Sequence, residues 1–394
     1  MKISDFVEVK NAKVSARYKE NKVAIGDFVQ DYIAGDVNVN CDFKEMMDHK
    51  DDIFTYQFVG HHYNFLISRF VPEVLSHSKK QDERIVRSHY DNKNDLFSWF
   101  LGPKMIYTSC YFLTGNESLE EAQENKMNLI AQKIQLKAGE ELLDIGCGWG
   151  TLVAHMAKHY GVNTTGVTIA QAGADWANNQ IKEYGVEDKA KIWRMDYRDI
   201  PTDKKYDKVT CLEMAEHVGV KNFSKFMKQC YNLIKDDGLF YIQIAGLRER
   251  DSLFTGPIHE DLVWGLFMNE YIFSGADASM PLHWDLKHLE KSGFEIQSVE
   301  NIGIHYCKTV EFWYHNWMSN KSKVIEKYGE RTFRIYEIFL GWSIFITKQG
   351  SSTAYQIVCR KNLNTFDRTK FIGATTFGEQ YKAKKKEVLV EETA

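Results

Sequence analysis

The sequence has few long apolar stretches. No run of about 18 apolar residues occurs, whereas a helix needs about 20 to cross a bilayer. Residues 333–347, FRIYEIFLGWSIFIT, come nearest, but Arg334 and Glu337 interrupt them. The first residues, MKISDFVEVKNAK, lack the apolar core of a signal peptide. We therefore predict no signal peptide and no transmembrane helix, and we interpret 333–347 as a buried or interfacial helix.

Two other absences narrow the class of protein. The 50 Lys and Arg residues do not outnumber the 54 Asp and Glu, and the net charge of -4 gives no electrostatic reason to expect nucleic acid as a partner. The seven cysteines are spread along the chain without a CxxC pair, which argues against a disulfide framework or a zinc finger. We expect a reducing, cytoplasmic location, with peripheral attachment to an internal membrane as the open alternative.

The second part of the chain has the pattern of an α/β fold. From about residue 132, short apolar runs alternate with polar helical stretches, which predicts a parallel sheet with crossover helices. We expect a seven-stranded, Rossmann-like sheet with helices on both faces. The predicted strands are residues 140–147, 162–169, 190–196, 206–213, 238–246, 294–303 and 353–361.

The predicted domains follow from this pattern. Residues 1–130 form a helical extension, residues 131–365 the catalytic domain, and residues 366–394 a polar tail. Two long, aromatic-rich connections, about 247–285 and 304–350, are expected to cap the substrate, because such long connections in a compact domain are usually functional. Residues 56–77 have apolar residues at helical spacing, which fits either a helix packed on the core or one in contact with a membrane surface.

The stretch ELLDIGCGWGT at 141–151 predicts a ligand-binding turn. Gly146, Gly148 and Gly150 follow a buried strand and allow positive φ angles and close approach of a ligand to the backbone. The spacing is GxGxG, whereas a dinucleotide site would have GxGxxG and an acidic residue about twenty positions later. The second predicted strand ends in Thr168, which favours a smaller nucleoside ligand.

S-adenosylmethionine is such a nucleoside. Asp144 precedes the turn, where its carboxylate could organise the loop and meet the ammonium group of the methionine part. Asp196 and Tyr197 follow the third strand, where an acid could accept a hydrogen bond from adenine and an aromatic ring could stack on it. The strand, the glycine loop and the acidic end of the third strand together predict a site for S-adenosylmethionine.

Four segments resemble the cyclopropane-fatty-acid synthase group of S-adenosylmethionine-dependent methyltransferases. Within this group the chain looks most like the fungal sphingolipid 9-methyltransferases, through DLFSWFLGPKMIYTS (95–109), CLEMAEHVG (211–219), DLVWGLFMNEYIFSGADAS (261–279) and NKSKVIEKYGERTFRIY (320–336). The resemblance covers roughly residues 84–365 and implies a class I methyltransferase fold. It is carried by HYDNKNDLFSWFLGPKMIYTSCYF (89–112), LLDIGCGWGTLVAHMAKHYGVNTTGVT (142–168), CLEMAEHVGVKNF (211–223) and HYCKTVEFWYHNW (305–317).

The resemblance also implies roles for individual residues. A segment over 84–115 would close over the cofactor, and Gln171 would meet the ribose, because the family's usual glutamine position is Gly173 here. Cyclopropane synthases bind bicarbonate, and the matching positions leave a bicarbonate site open in this chain. The implied lid residues are Tyr90, Tyr107, Thr108 and Ser109, and the positions matched to the bicarbonate site are Ser109, Glu216, Tyr306 and Gln243.

Methylation of an alkene requires alignment of the reactants, exclusion of water and a base. Attack on the cofactor's methyl group leaves a carbocation, which aromatic rings or a carboxylate can stabilise. Removal of a proton from the new methyl group gives a cyclopropane, and removal from the methylated carbon gives a branched alkene. We predict Glu216 as the base, with His217 in reserve. The candidate aromatic residues are Tyr107, Tyr306, Trp313 and Trp264.

Three other groups have simpler interpretations. Glu213 could share a helical face with Glu216, but a hydrogen bond that organises the loop is the simpler role. His155 and His159 have a spacing that metals use, yet no third ligand is evident, and we predict no metal. Cys110 could be a nucleophile, but methyl transfer requires no covalent enzyme intermediate, and packing is the simpler role.

The predicted function is methylation of an alkene carbon in a lipid chain, most simply the sphingoid base of a sphingolipid at a membrane surface. A cyclopropane synthase acting on phospholipid acyl chains and an amine N-methyltransferase of the benzylisoquinoline type stay open as alternatives. A catalytically silent lipid- or cofactor-binding protein is disfavoured by the intact glycine loop. The sequence gives no prediction of oligomeric state.

Overall fold

The centre of the molecule is a seven-stranded sheet. The computed structural model describes residues 1–72, 93–249, 258–273, 280–365 and 367–372. The strands of this sheet are β5 (Glu141–Ile145), β6 (Asn163–Thr168), β7 (Ala190–Arg194), β8 (Tyr206–Leu212), β9 (Ile234–Leu247), β10 (Phe294–Asn301) and β11 (Ser352–Lys361). All seven predicted strands are confirmed.

The strand order determines where a ligand can bind. The order is β10-β11-β9-β8-β5-β6-β7, with β9, β8, β5, β6 and β7 parallel and β11 antiparallel to both of its neighbours. The chain order reverses at β5, which lies between β6 and β8. Ligands of open α/β sheets bind beyond the carboxyl ends of the strands at such a switch point.

Helices cover the sheet and form the inserts. The helices that follow strands of the sheet begin after polar or glycine-rich turns, as the alternating sequence pattern predicts. The helices are α1 (Ile25–Ala34), α2 (Phe43–Asp48), α3 (Lys50–Ile53), α4 (Gly60–Phe65), α5 (Asn94–Leu101), α6 (Leu119–Lys133), α7 (Thr151–Tyr160), α8 (Gln171–Tyr184), α9 (Val220–Leu233), α10 (Glu260–Tyr271), α11 (Leu282–Lys291), α12 (Gly303–Ser319) and α13 (Lys321–Lys348, broken at Gly329).

The first 72 residues contain more than the predicted helices. They also form two small sheets, one pairing β1 (Val7–Val9) with β3 (Val37–Val39) and the other β2 (Val23–Ala24) with β4 (Phe54–Thr55). Strands this short leave no periodic pattern in the sequence.

The N-terminal region and the second insert share one hydrophobic core. Side chains of residues 1–72 pack with those of α5, α12 and α13. Tyr32 donates a hydrogen bond to Glu337, and Arg334 donates to the carbonyl oxygens of Tyr32 and Val37. The helix predicted at 333–347 is confirmed and is buried along its length within α13. In the described part of the chain, no helix combines the length and apolar character needed to cross a bilayer.

Candidate active site

The glycine-rich turn lies between β5 and α7. Gly146, Gly148 and Gly150 have φ angles of +79°, +54° and +74°, which L side chains rarely adopt. A Cβ on Gly146 would lie 2.5 Å from Met214 Cγ, and one on Gly150 would lie 2.3 Å from the Cβ of Ala177. A Cβ on Gly148 would meet nothing within 4 Å, because Gly148 faces an open cavity.

This main cavity has a volume of about 240 Å³ and lies at the carboxyl ends of β5, β6, β7 and β8. Most of the residues predicted from the sequence to bind the cofactor line it. They are Tyr107, Thr108, Asp144, Gly146, Gly148, Thr168, Asp196 and Tyr197, together with the reserve base His217. Gly150, Ser109 and Gln171 contribute to the surrounding structure and do not line the cavity, and Tyr90 lies outside the described residues.

Asp144 is the last polar residue of β5 and points into this cavity. It is 4% exposed, and its carboxylate accepts a hydrogen bond of 2.7 Å from the hydroxyl of Thr210. Burial raises the pKa of Asp144 to about 6, while Thr210 and the positive charge of Lys126 act in the opposite direction. The buried carboxylate is well placed to meet a positively charged ligand.

Asp196 is held in an ion pair that the sequence did not suggest. Arg198 donates from Nε and Nη2 to the Asp196 carboxylate over 2.7 and 2.6 Å, and its backbone N–H donates to the same carboxylate. Both side chains line the cavity next to Tyr197, whose ring contacts Phe226 edge-on. A ligand at this end of the cavity would meet the ion pair as well as the aromatic ring.

Gln171, the predicted ribose contact, is turned to its own helix. Its amide donates to Asp175 over 2.7 Å. Gly173 lines the cavity instead, and a Cβ there would lie 2.6 Å from the carbonyl oxygen of Gly148. The close approach of α8 to the glycine turn explains why no larger residue fits at position 173.

The segment before α6 closes one side of the cavity. The ring of Tyr107 packs against those of Phe97, Trp313 and Phe273, with centroids 5.4 to 5.7 Å away. Thr108 accepts a hydrogen bond from the ammonium group of Lys126, a buried lysine that also lines the cavity. No sequence pattern singled out Lys126, because it lies on α6 among ordinary helical residues.

Glu213 immediately follows β8 and lines the cavity. Its φ is +47°, a conformation that is rare for residues other than glycine. Oε1 of its carboxylate accepts hydrogen bonds from the backbone N–H of Ser109 at 2.9 Å and from the side-chain amide of Gln243 at 2.6 Å. The backbone N–H of Glu213 donates to the carbonyl oxygen of Gln243.

Glu216, three residues later, lies in a different environment. Its Oε1 accepts a hydrogen bond from the backbone N–H of Ala245, and its buried Oε2 has no hydrogen-bond partner in the described part of the chain. It lines a second, much smaller cavity of about 10 Å³ beside Asp285 and Trp284, and it is not among the residues that line the main cavity. Burial and the charge of Glu213 raise the pKa of Glu216 well above its usual value.

The remaining predicted residues surround these carboxylates. His217 faces the main cavity, and burial lowers its pKa to about 4, so its imidazole is neutral at physiological pH. Tyr306, on α12, does not line the cavity, and burial together with the charges of Glu213 and Glu216 raises its pKa. His155 pairs with Asn128, and among the described residues no group of three or more His, Cys, Asp or Glu side chains is arranged to hold a metal.

The fold is that of S-adenosylmethionine-dependent methyltransferases of known structure. A cyclopropane synthase from Mycobacterium tuberculosis has the same fold, with a TM-score of 0.67 and 24% identity over 71% of this chain and 98% of that chain. Coclaurine N-methyltransferase also shares it, with a TM-score of 0.66 and 15% identity over 86% of this chain and 99% of that chain.

Residues 77–357 match the family model of mycolic acid cyclopropane synthetase, and the chain belongs to this family. The sphingolipid C9-methyltransferase of Komagataella phaffii is 45% identical to this chain and aligns with 94% of it and 77% of its own length. The corresponding protein of Candida albicans is 43% identical, over 94% of this chain and 74% of its own length. The predicted family membership and methyltransferase class are thus confirmed.

Proposed function

We propose that this protein transfers a methyl group from S-adenosylmethionine to an alkene carbon of a sphingoid base, at the position that C9-methyltransferases modify. The observation that carries the proposal is the 45% identity over 94% of the chain to a sphingolipid C9-methyltransferase. The glycine turn and the main cavity support it, because they form a site for a nucleoside with a charged tail.

The residues of the main cavity fit S-adenosylmethionine. When bound, this cofactor supplies an electrophilic methyl group on a positively charged sulfur. Gly148 leaves its side of the cavity open, and Asp144 offers a buried carboxylate for the cofactor's ammonium group. Tyr197 provides a ring for adenine, and the Asp196–Arg198 pair provides hydrogen-bonding groups beside it.

Tyr107 lines the cavity and packs against a cluster of aromatic rings, an environment that suits an apolar acceptor and a cationic intermediate. Tyr107 is surrounded by Phe97, Phe100, Trp313 and Phe273. Ring faces attract a carbocation, and a dry site prevents its capture by water. Trp264 is engaged elsewhere, since its indole N–H donates to Ser343.

The matched positions do not fit a bicarbonate ion. The Ser109 N–H and the Gln243 amide both donate to Glu213, so the donors that would hold a bound anion already serve a carboxylate of this chain. A second anion beside a buried carboxylate would be repelled.

The proposal is tested by expressing the chain in cells that make unsaturated sphingoid bases but do not methylate them. Mass spectrometry should detect sphingoid bases heavier by one CH₂ group, which are absent with an empty vector. Purified protein should give the same product with S-adenosylmethionine and an unsaturated ceramide. Methylation of an added benzylisoquinoline amine or of phospholipid acyl chains, with none of sphingoid bases, would contradict the proposal and favour the corresponding alternative.

We also propose that the protein works in the reducing cytoplasm and reaches its lipid by peripheral membrane contact. Its seven cysteines are all free, which supports a reducing location. Helix α4 and the turn that continues it carry Tyr63, Ile67 and Val71 at intervals of four residues, and these side chains are 54%, 76% and 48% exposed. One apolar stripe on a helix suits insertion among lipid head groups.

Vesicle cosedimentation tests the membrane contact. Replacing Ile67 by Ser should weaken binding roughly tenfold, because burying an isoleucine contributes about 1.5–3 kcal/mol. Ile304→Ser is the matched control, since Ile304 is 79% exposed on α12, away from the stripe in the sequence. Equal binding by the Ile67→Ser variant and the wild type, or an equal loss in the control, would contradict contact through this stripe.

A further inference from the structure

We propose that Glu213, and not Glu216, is the carboxylate that accepts the proton from the methylated substrate. The inference deepens the proposed function and rests on it. In the proposed step the C–S bond of the cofactor breaks as the new C–C bond forms, leaving a cation on the neighbouring carbon. The proton on the methylated carbon then passes to Oε2 of Glu213, and the C–H electron pair restores the double bond.

The position of Glu213 in the main cavity is the first support. It lies at the carboxyl end of β8, directly beside β5 and the glycine turn, where the methyl group of a bound cofactor is expected. Its carboxylate lies deep in the protein and is accessible from the cavity. Glu216 lies within the short 3-10 turn Ala215–His217 and faces the second cavity.

The hydrogen bonds of Glu213 engage Oε1 and leave Oε2 able to accept a proton. Oε1 accepts from both Ser109 and Gln243, and no hydrogen bond to Oε2 is found among the described residues. The side chain of Glu213 is half-buried, and it lines the main cavity. A carboxylate fixed through one oxygen and open at the other is suited to accept a proton at a defined position.

A buried chain of side chains fixes the orientation of Gln243. Lys133 can only donate, and it donates to Oε1 of Gln356 over 2.6 Å. The Gln356 amide nitrogen therefore donates to Oε1 of Gln243 over 3.2 Å, and Gln243 must present its own NH₂ group to Glu213. Both glutamines are fully buried, so Gln243 acts as a positioning residue for the carboxylate.

The backbone of Glu213 provides the third support. A residue with φ of +47° has adopted a conformation that glycine would adopt more easily, and such outliers cluster at active sites. If the side chain served only to organise the loop, glycine would be the less strained choice at this position. The strain is consistent with a requirement for the carboxylate itself.

Glycine adopts positive φ angles readily, so a variant with glycine at position 213 should fold. Glu213→Gly removes the carboxylate, relieves the backbone and leaves the N–H of Ser109 and the amide of Gln243 available to a small anion. We expect kcat for sphingoid-base methylation to fall about 100-fold or more, while binding of S-adenosylhomocysteine, measured by calorimetry, is retained. Added formate or acetate should restore activity with saturation, because either can occupy the vacated space and accept the proton.

Nitrate separates proton transfer from charge alone, since it has a similar planar shape but is a very weak base. We expect no rescue by nitrate, and weaker rescue by formate in the double variant Glu213→Gly with Gln243→Leu, which lacks one of the anion's donors. The isosteric pair Glu213→Gln and Glu216→Gln should differ, with the larger loss of kcat at position 213.

The inference is overturned if Glu213→Gly keeps the wild-type kcat, if nitrate rescues as well as formate, or if Glu216→Gln loses more activity than Glu213→Gln. Wild-type protein assayed in parallel separates this outcome from failure of the proposed function. A wild type that methylates only an amine or a phospholipid overturns the proposed function. The Glu213 variants are then compared on that acceptor by the same criteria.

Discussion

Glu213 and Glu216 are three residues apart, yet they lie in two cavities of different character. The main cavity combines Asp144, Lys126 and Glu213 with the rings of Tyr107, Trp149 and Tyr197. Both carboxylates accept hydrogen bonds. The second cavity holds Glu216 and Asp285, each with an oxygen that lacks a partner in the described part of the chain. Proximity in sequence therefore says little about which carboxylate can reach a substrate.

The two cavities differ in how far hydrogen bonds offset the effect of burial on the pKa of their carboxylates. In the main cavity, burial raises the pKa of Glu213, while hydrogen bonds from Gln243 and Ser109 and the charge of Lys126 act in the opposite direction. In the second cavity, burial raises the pKa of Asp285 to about 7 with no compensating donor, and it raises the pKa of Glu216 well above its usual value. The first environment favours a carboxylate ready to accept a proton, and the second favours protonated, neutral acids.

The largest effect is expected from a change in the glycine turn, at the position that contacts Met214. In Gly146→Ala, the added Cβ would lie 2.5 Å from Met214, the residue between Glu213 and the turn that carries Glu216. Displacement of Met214 should move Glu213 and lower the rate of methyl transfer about 100-fold. Single-turnover assays with saturating cofactor would measure the rate of methyl transfer.

Gly185→Ala is the control for backbone strain alone. Gly185 also has a positive φ, of +65°, but an added Cβ there meets nothing within 4 Å. Gly185→Ala should lose about 1–2 kcal/mol of unfolding free energy. Gly146→Ala should lose more, because its Cβ also displaces Met214, and only this change should impair methyl transfer. Equal rates in the two variants would contradict the proposed role of this contact.

An intermediate effect is expected at Asp144. Replacing it by Asn should weaken binding of S-adenosylmethionine about 10–100-fold at pH 8, since a hydrogen bond to a charged group contributes about 1.5–3 kcal/mol. The pKa of about 6 predicts that wild-type affinity rises between pH 5 and pH 7, as the carboxylate ionises, and then levels off. Calorimetry over this pH range measures both effects, and an Asn variant with the wild-type pH dependence would contradict the assignment.

The smallest effect on activity is expected in the second cavity. The pKa of Asp285 rises from 3.8 to about 7 on folding, so the native state is disfavoured once the unfolded chain can ionise. The stability of the wild type should therefore fall as pH rises from about 4 to 7 and stay level above pH 7. Asp285→Asn should reduce the difference in unfolding free energy between pH 5 and pH 8 by about 1–3 kcal/mol, with methyl transfer unchanged.

Urea unfolding at the two pH values measures this effect. A variant that loses stability equally at both would show that Asp285 is not a buried neutral acid. A loss of methyl transfer in the same variant would show that the second cavity takes part in the reaction, contrary to the assignment of the reaction to the main cavity.

Much of the fold could be predicted from the sequence, because central strands such as β5, β6 and β8 are mostly buried and appear as apolar runs. The glycine turn could also be predicted, since its spacing reflects positive φ angles that only glycine adopts readily. β9 begins at Ile234, four residues before its predicted start, because its first residues IKDD are too polar to resemble a buried strand. The two small N-terminal sheets were missed because their strands have only two or three residues.

The contacts that distinguish the carboxylates could not be predicted. Glu213 meets Ser109, 104 residues away, and Gln243 meets Gln356, 113 residues away. The sequence interpretation left two roles open for Glu213: a helical face shared with Glu216 and, as the simpler one, a hydrogen bond that organises the loop. Glu213 accepts hydrogen bonds from Ser109 and Gln243, and a left-handed residue followed by a 3-10 turn directs Glu213 and Glu216 to different cavities. The predicted roles of Glu216, His217, Gln243 and Tyr306 in catalysis stay predictions until their variants are assayed.

The most direct test uses S-adenosylmethionine with a fully deuterated methyl group and the wild-type protein. Removal of the proton from the methylated carbon leaves all three deuterium atoms in the product, whereas formation of a cyclopropane leaves only two. We predict that mass spectrometry of the sphingoid base will find three deuterium atoms on a restored alkene. A product with two, or an unlabelled sphingoid base, would contradict methylation of the alkene carbon as proposed.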